Sequence, residues 1–231
     1  MENRCYLAMT AAEFQNCSSI PAHSAWLSCH FSPYTKGLSN VPGQLPPGAM
    51  VILDDANPVC GHDPEAVRAQ LDAAVKKNQC SCVLLDFQKP GNEETAAMAA
   101  YLGNKLSCPV GISHLYANEM NCAVLLPPIP PDVPLAEYIQ PWAEREIWLE
   151  LAMDVTGYRI TKNGAVAFQP TSIPSKCLTD TSLCCHYATE IYDDYIDFTL
   201  WRTAEDLTLL MEQADKYEIS QFVGLWQELH Q

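Results

Sequence analysis

The residues with the most chemistry to offer stand at the ends of apolar runs. Cys82 to Gln88 reads CVLLDFQ, a strand closing on an acid and an amide two residues apart. In an extended chain residues two apart share a face, so Leu84, Asp86 and Gln88 point one way and Val83, Leu85 and Phe87 the other. An ionised acid at an inward strand end is costly unless it is partnered, which draws notice to Asp86; the plainer reading is a loop anchor accepting backbone or tyrosine hydrogen bonds. Other strand ends carry Asp54 and Asp55, Ser113 and His114 with Tyr116 close behind, Glu150 and Asp154, Glu190, and Trp226. His114 offers a base or a ligand, or is simply bonded internally. Glu150 and Asp154 share a face with Trp148 and Ala152, and the expectation is a solvated face rather than a second acid pair.

These groups need elements to hold them. Ala49 to Leu53 is a short apolar run opening into Asp54 and Asp55, the pattern of a buried parallel strand. Asp63 and Pro64 supply an N-cap and a first-turn proline, after which Val67, Leu71, Ala74 and Val75 recur at helical spacing. The unit repeats with strand Cys82 to Phe87, a Pro90-Gly91 turn and a helix from about Asn92 with Met98, Tyr101, Leu102 and Leu106 on its stripe. Further strands are expected at Ala25 to Phe31, Pro109 to His114, Cys122 to Leu126, Ile147 to Met153 and Phe222 to Leu225. The proline-rich stretch from Pro127 to Pro134 is an extended loop leading to a helix around Leu135 to Trp142. Hairpins turn at Lys162-Asn163-Gly164 and at Asp193-Asp194, and Thr203 with Asp206 forms a capping box before the last helix. Alternating strands and helices imply a parallel sheet. About eight strands would close it, so the expected fold is an α/β, (β/α)8 TIM-like barrel with inserted β-hairpins, a single domain over residues 1–231. In such a barrel the strand ends converge on one mouth, which gathers the residues named above.

Charge and composition narrow the partners. With 28 acidic and 13 basic residues the chain carries a formal net charge of -15, which repels phosphate backbones and anionic lipid, so neither nucleic acid nor membrane is expected. The first residues lack a basic stretch leading into a long apolar one, and no run is long enough to span a bilayer; a cytoplasmic location is the expectation. Eleven cysteines, several inside apolar strands, read as free thiols. The candidate zinc ligands are Cys60 with His62, Cys80 with Cys82, and Cys177 with Cys184, Cys185 and His186; none has paired CxxC spacing, so no metal is expected. Without a Gly-rich phosphate loop or a Schiff-base lysine, no cofactor is expected either.

The Asp86-Phe87-Gln88 strand, taken with a closing pattern of Thr203, Leu207, Tyr217, Ile219, Gly224 and Trp226, resembles the glycoside hydrolase family 18 barrels, which include chitinases and spore-cortex or peptidoglycan-directed relatives. The family signature D-x-x-D-x-D-x-E, with its last two charged positions set on Asp86 and Gln88, puts Leu84 and Ser81 at the earlier acids, so one acid of four is retained. The resemblance implies that Asp86 orients the substrate's N-acetyl group, that Gln88 stands where a glutamate would protonate the glycosidic oxygen, and that Trp226 floors a sugar subsite. An amide keeps the size and hydrogen-bonding reach of the acid but has no proton to give near neutral pH. The function implied is a glycosidase-like barrel that binds an amino-sugar oligosaccharide of the chitin or peptidoglycan type without hydrolysing it, with Asp86 and the degenerate Gln88 at the centre and Asp54, Asp55, His114, Tyr116, Glu150 and Trp226 lining the cleft. Two alternatives stay open: an active hydrolase using carboxylates from other strands, Glu190 among them, and a barrel kept only as an interaction scaffold.

Overall fold

The computed structural model describes residues 4–91, 93–117, 121–219 and 221–230. Eight parallel strands form a ring: β1 (Cys5–Met9), β2 (Ser24–Phe31), β4 (Met50–Asp54), β5 (Cys82–Asp86), β6 (Val110–Ser113), β7 (Ala123–Leu126), β8 (Ile147–Leu151) and β14 (Gln221–Leu225). β1 pairs with both β14 and β2, which closes the ring, and the two-residue β3 (Leu38–Ser39) adds antiparallel to the end of β2. The fold is a (β/α)8 TIM-like barrel. β1 is the strand that the apolar pattern does not single out.

The covering helices are α1 (Ala11–Asn16), α2 (Pro64–Asn78), α3 (Glu93–Lys105), α4 (Leu135–Ile139), α5 (Ala204–Ala214) and α6 (Trp226–Leu229). Their starts follow the sequence signals. Asp63 caps α2 ahead of Pro64, and Thr203 with Asp206 forms a reciprocal capping box on α5. Thr10 and Glu13 form a second box on α1. The expected start of the helix after β5, Asn92, lies outside the described residues. The helix expected over Leu135 to Trp142 is shorter: α4 ends at Ile139 and Gln140–Trp142 is a 3-10 turn, because Pro141 brings no amide hydrogen to continue the ladder. Among the described residues, no helix is long and apolar enough to cross a membrane.

Strand alternation sorts the core into two layers. Val83, Leu85 and Phe87 join Val67, Leu71 and Leu102 in the layer between sheet and helices, while Tyr6, Ala8, Met50, Ile52, Cys82, Leu84, Leu125, Trp148 and Val223 fill the barrel itself. Trp148 fits because its neighbour in the interior is a glycine: a Cβ on Gly111 would stand 2.3 Å from the indole ring. At the floor the Tyr6 hydroxyl meets Ser81 Oγ at 2.8 Å.

Between β8 and α5 the chain builds a five-stranded antiparallel sheet from β9 (Val155–Thr161), β10 (Gly164–Phe168), β11 (Leu178–Asp180), β12 (Cys185–Ile191) and β13 (Tyr195–Trp201), in the order β10-β9-β13-β12-β11. Both expected hairpins are there. Because this sheet leaves the barrel from the C-terminal end of β8, it rises on the side where Asp86 ends β5. Buried Arg202 ties its base to the proline-rich loop, donating to the carbonyls of Cys184 at 3.1 Å, Leu183 at 3.2 Å and Ile129. Tyr158 Oη adds a bond to Asp132 of the same loop at 2.9 Å.

Candidate functional site

The inward phase of each strand continues past the apolar layer into polar residues. Above Ile52 comes Asp54, above Leu84 comes Asp86, above Gly111 comes Ser113, and above Trp148 comes Glu150. Register confirms the level, since Asp54 pairs directly with Asp86. The barrel therefore ends in a small acidic mouth.

On the β4–β5 side each acid has partners. His30 Nδ1 lies 2.7 and 2.8 Å from the two oxygens of Asp54, which also accepts from the Ala56 amide at 3.0 Å. Asp55, buried, accepts from the backbone amides of Gln88 at 3.0 Å and Lys89 at 2.9 Å, while its own carbonyl takes the Lys89 ammonium at 2.5 Å. Asp55 thus clamps the loop after β5 and fixes where Gln88 begins. The Gln88 side-chain amide then donates to Asp86 Oδ1. Burial pushes the Asp86 carboxyl above its ordinary range, the Gln88 hydrogen bond opposes that shift, and the charges of Asp54 and Asp55 add to it.

Glu150, on the inner face of β8, is half-buried, which corrects the expectation of a solvated face for it, while Asp154 is exposed as expected. Trp148 is buried in the barrel, and Glu150 follows it inward. Burial comes first among the causes that push its carboxyl up to about 7, followed by the charges of Asp86, Asp154 and Glu228. Glu150 in turn helps burial raise the Tyr138 hydroxyl to about 12. Ser113, 1% exposed, sits on the inner face of β6 and its Oγ has no hydrogen-bond partner among the described residues.

The remaining candidates lie elsewhere. His114 opens a 3-10 turn just past Ser113, with burial lowering its pKa. Tyr116 donates to the Lys89 carbonyl and meets Phe87 edge-on, in the layer outside the sheet. Glu190 is exposed on β12, register-paired with Asp197 and within 3.4 Å of the Tyr192 hydroxyl. Trp226 is the first residue of α6; it stacks on His230, packs on the outer layer, and lines a cavity of about 560 Å³ beside α1 with Glu13, Asn16 and Cys17. The structure brings together Asp54, Asp55, Asp86, Gln88 and Glu150, and sets Glu190 and Trp226 apart from them. His30 and Glu228 join the site without having been singled out: His30 lies within β2, register-paired with Asp54, and Glu228 is two residues past Trp226 on α6. Among the described residues, no group of three or more His, Cys, Asp or Glu side chains is arranged to hold a metal ion.

No protein-family model matches the chain, and no curated protein matches it in sequence. Solved structures do match in fold. The chain is similar to the chitinase-like agglutinin RobpsCRA from Robinia pseudoacacia, at 10% identity and TM-score 0.59, over 94% of this chain and 93% of that one. It is also similar to a glycoside hydrolase family 18 N-acetylglucosaminidase from Paenibacillus barengoltzii, at 8% identity and TM-score 0.57, over 95% of this chain and 94% of that one. The barrel has the fold of glycoside hydrolase family 18. A third match, the spore cortex-lytic enzyme SleL of Bacillus cereus, has 10% identity and TM-score 0.53 over 87% of this chain, which spans 63% of that enzyme's length. Leu84 is 1% exposed in the barrel core, and Ser81 bonds the Tyr6 hydroxyl at its floor.

Proposed function

We propose that this protein binds an amino-sugar oligosaccharide, of the chitin or peptidoglycan type, in the mouth of its barrel. The observation that carries this reading is the Asp86–Gln88 pair, an inward carboxylate held by an amide at the end of β5 in a family 18-like barrel. Asp86 offers an acceptor to a sugar hydroxyl or N-acetyl N–H, and Gln88 has one amide hydrogen and its carbonyl left over for the same ligand. Gln88 has no proton to transfer, so no acid step passes through β5. The likeness in fold to a chitinase-like agglutinin supports the idea that such a barrel can serve binding.

Titration calorimetry with chitotetraose and with a peptidoglycan disaccharide tests the reading. Wild type should bind at least one of them, Asp86→Ala should weaken that binding by about tenfold or more, and Gln88→Glu should keep it. A protein that takes up neither sugar, or an Asp86→Ala variant that binds as wild type does, overturns the proposal.

A further inference from the structure

Gln88 leaves β5 without a transferable proton, yet the mouth contains one on another strand. Glu150 projects from β8 above Trp148, three strands round the ring from Asp86. Among the described residues the charged groups that act on it are acidic: Asp86 from β5, Asp154 just past β8 and Glu228 on α6, with the neutral Tyr138 hydroxyl from α4. Farther round, Asp54 is already held by His30. Among the described residues, no group donates a hydrogen bond to Glu150 and no cation pairs with it. Asp86 differs, because Gln88 donates to it and a donated hydrogen bond favours the ionised form. Of two carboxyls on the inner face of one barrel mouth, the one without donors keeps the proton. Burial and the Asp86 charge act in the same direction on Glu150.

A second observation points to a ligand. The buried Ser113 hydroxyl, next along the ring from Asp86, has no partner among the described residues, and a buried hydroxyl left so costs free energy that a bound oxygen or N–H would recover. Donor, acceptor and open hydroxyl thus stand on the inner faces of β8, β5 and β6.

We propose that Glu150 is the general acid of a glycoside-hydrolysing mouth, with Asp86 as its base; this rests on the sugar-binding reading. The Glu150 O–H bond breaks as its proton passes to the glycosidic oxygen. The bond from that oxygen to the anomeric carbon breaks, and its electron pair stays on the leaving oxygen. A water oxygen bonds to the anomeric carbon and gives a proton to the Asp86 carboxylate. One glycosidic bond and one water become two hydroxyls, and proton exchange with solvent returns Asp86 to its anion and Glu150 to its acid.

The test uses the full chain, with binding and turnover measured separately on chitotetraose and on aryl chitobiosides. Glu150→Gln should cut turnover of chitotetraose by about a hundredfold or more while its dissociation constant changes less than about threefold. The same variant should lose far less on a 2,4-dinitrophenyl chitobioside, whose leaving group departs without protonation, a contrast that a merely structural role would not produce. Wild-type turnover should also fall as pH rises through about 7. Sugar binding without turnover at any pH from about 4 to 9, or Glu150→Gln turning over chitotetraose like wild type, overturns this proposal and leaves the binding reading standing. Absence of binding overturns both.

Discussion

The two sides of the barrel mouth treat buried polar groups in opposite ways. On the β4–β5 side Asp54 is held by His30, Asp55 by two backbone amides and Asp86 by the Gln88 side chain. On the β6–β8 side Ser113 and Glu150 have no such partners among the described residues. Satisfied buried groups stabilise a fold, whereas unsatisfied ones lower stability and persist where they serve something else. The contrast separates acids that build the mouth from those left for a ligand. It also assigns Asp55, one of the most buried acids of the set, to architecture: its hydrogen bonds go to the chain that carries Gln88 and Lys89.

Removing a satisfied acid should give the largest effect. Asp55→Ala leaves two amides without their acceptor at a position 4% exposed, and each such loss costs about 1–3 kcal/mol. A destabilisation of about 4 kcal/mol is expected in urea unfolding followed by circular dichroism, with Asp55→Asn, which keeps one acceptor, recovering about half. A loss under about 1 kcal/mol would mean the clamp contributes nothing and the contrast between the two sides has no energetic basis.

How much of this was legible in the chain depends on whether the signal is local. The barrel strands from Ala25 onward, both hairpins and the α2 and α5 caps follow from period, turn residues and capping boxes, each decided within a few residues, whereas β3 and β11 carry no such signal. β1 is different: Cys5-Tyr6-Leu7-Ala8-Met9 is short, has no β-branched residue, and becomes a barrel strand through its pairing with β14 and β2, from distant parts of the chain. The same divide runs through the site. Alternation alone turns Asp86 and Gln88 toward the mouth. For β8, alternation gives two faces, Trp148 with Glu150 or Leu149 with Leu151, both of them partly apolar. Which one faces inward is settled by the space that Gly111 leaves for an indole, one strand beyond its neighbour β7. Trp226 shows the reverse error of reach. Val223 faces the barrel and Leu225 keeps that phase, so one further residue carries Trp226 out of the strand into α6 and onto the outer layer.

The unpartnered side predicts an effect of opposite sign. Glu150 has its folded value, about 7, above its ordinary 4.5, so the folded state holds the proton more tightly than the unfolded chain. Stability from this group is therefore complete below about pH 4.5, declines as pH rises toward 7, and stays reduced above it. At about 1.4 kcal/mol per pH unit the full penalty is about 3 kcal/mol. Glu150→Gln, which does not titrate, should raise stability by that order at pH 8 and by little at pH 4.5, read from the melting temperature of wild type and variant at both values. Equal effects at the two pH values would show that Glu150 is not held in its acid form by the fold.

The smallest effect makes the finest distinction. Among the described residues two buried hydroxyls have no partner, Ser113 and Ser24, and they face different layers. Ser113 continues the inward phase of Gly111, whereas Ser24 precedes the inward Ala25 and turns to the helix side. Replacing either by alanine removes an unsatisfied group and should stabilise the protein by up to about 1 kcal/mol, so unfolding alone does not distinguish them. Ligand binding does. Ser113→Ala should weaken sugar binding by about threefold to tenfold in calorimetry, through the loss of one hydrogen bond, while Ser24→Ala leaves it unchanged. If both variants bind like wild type, the Ser113 hydroxyl is a packing defect of the same kind as Ser24, and the open side of the mouth shrinks to Glu150.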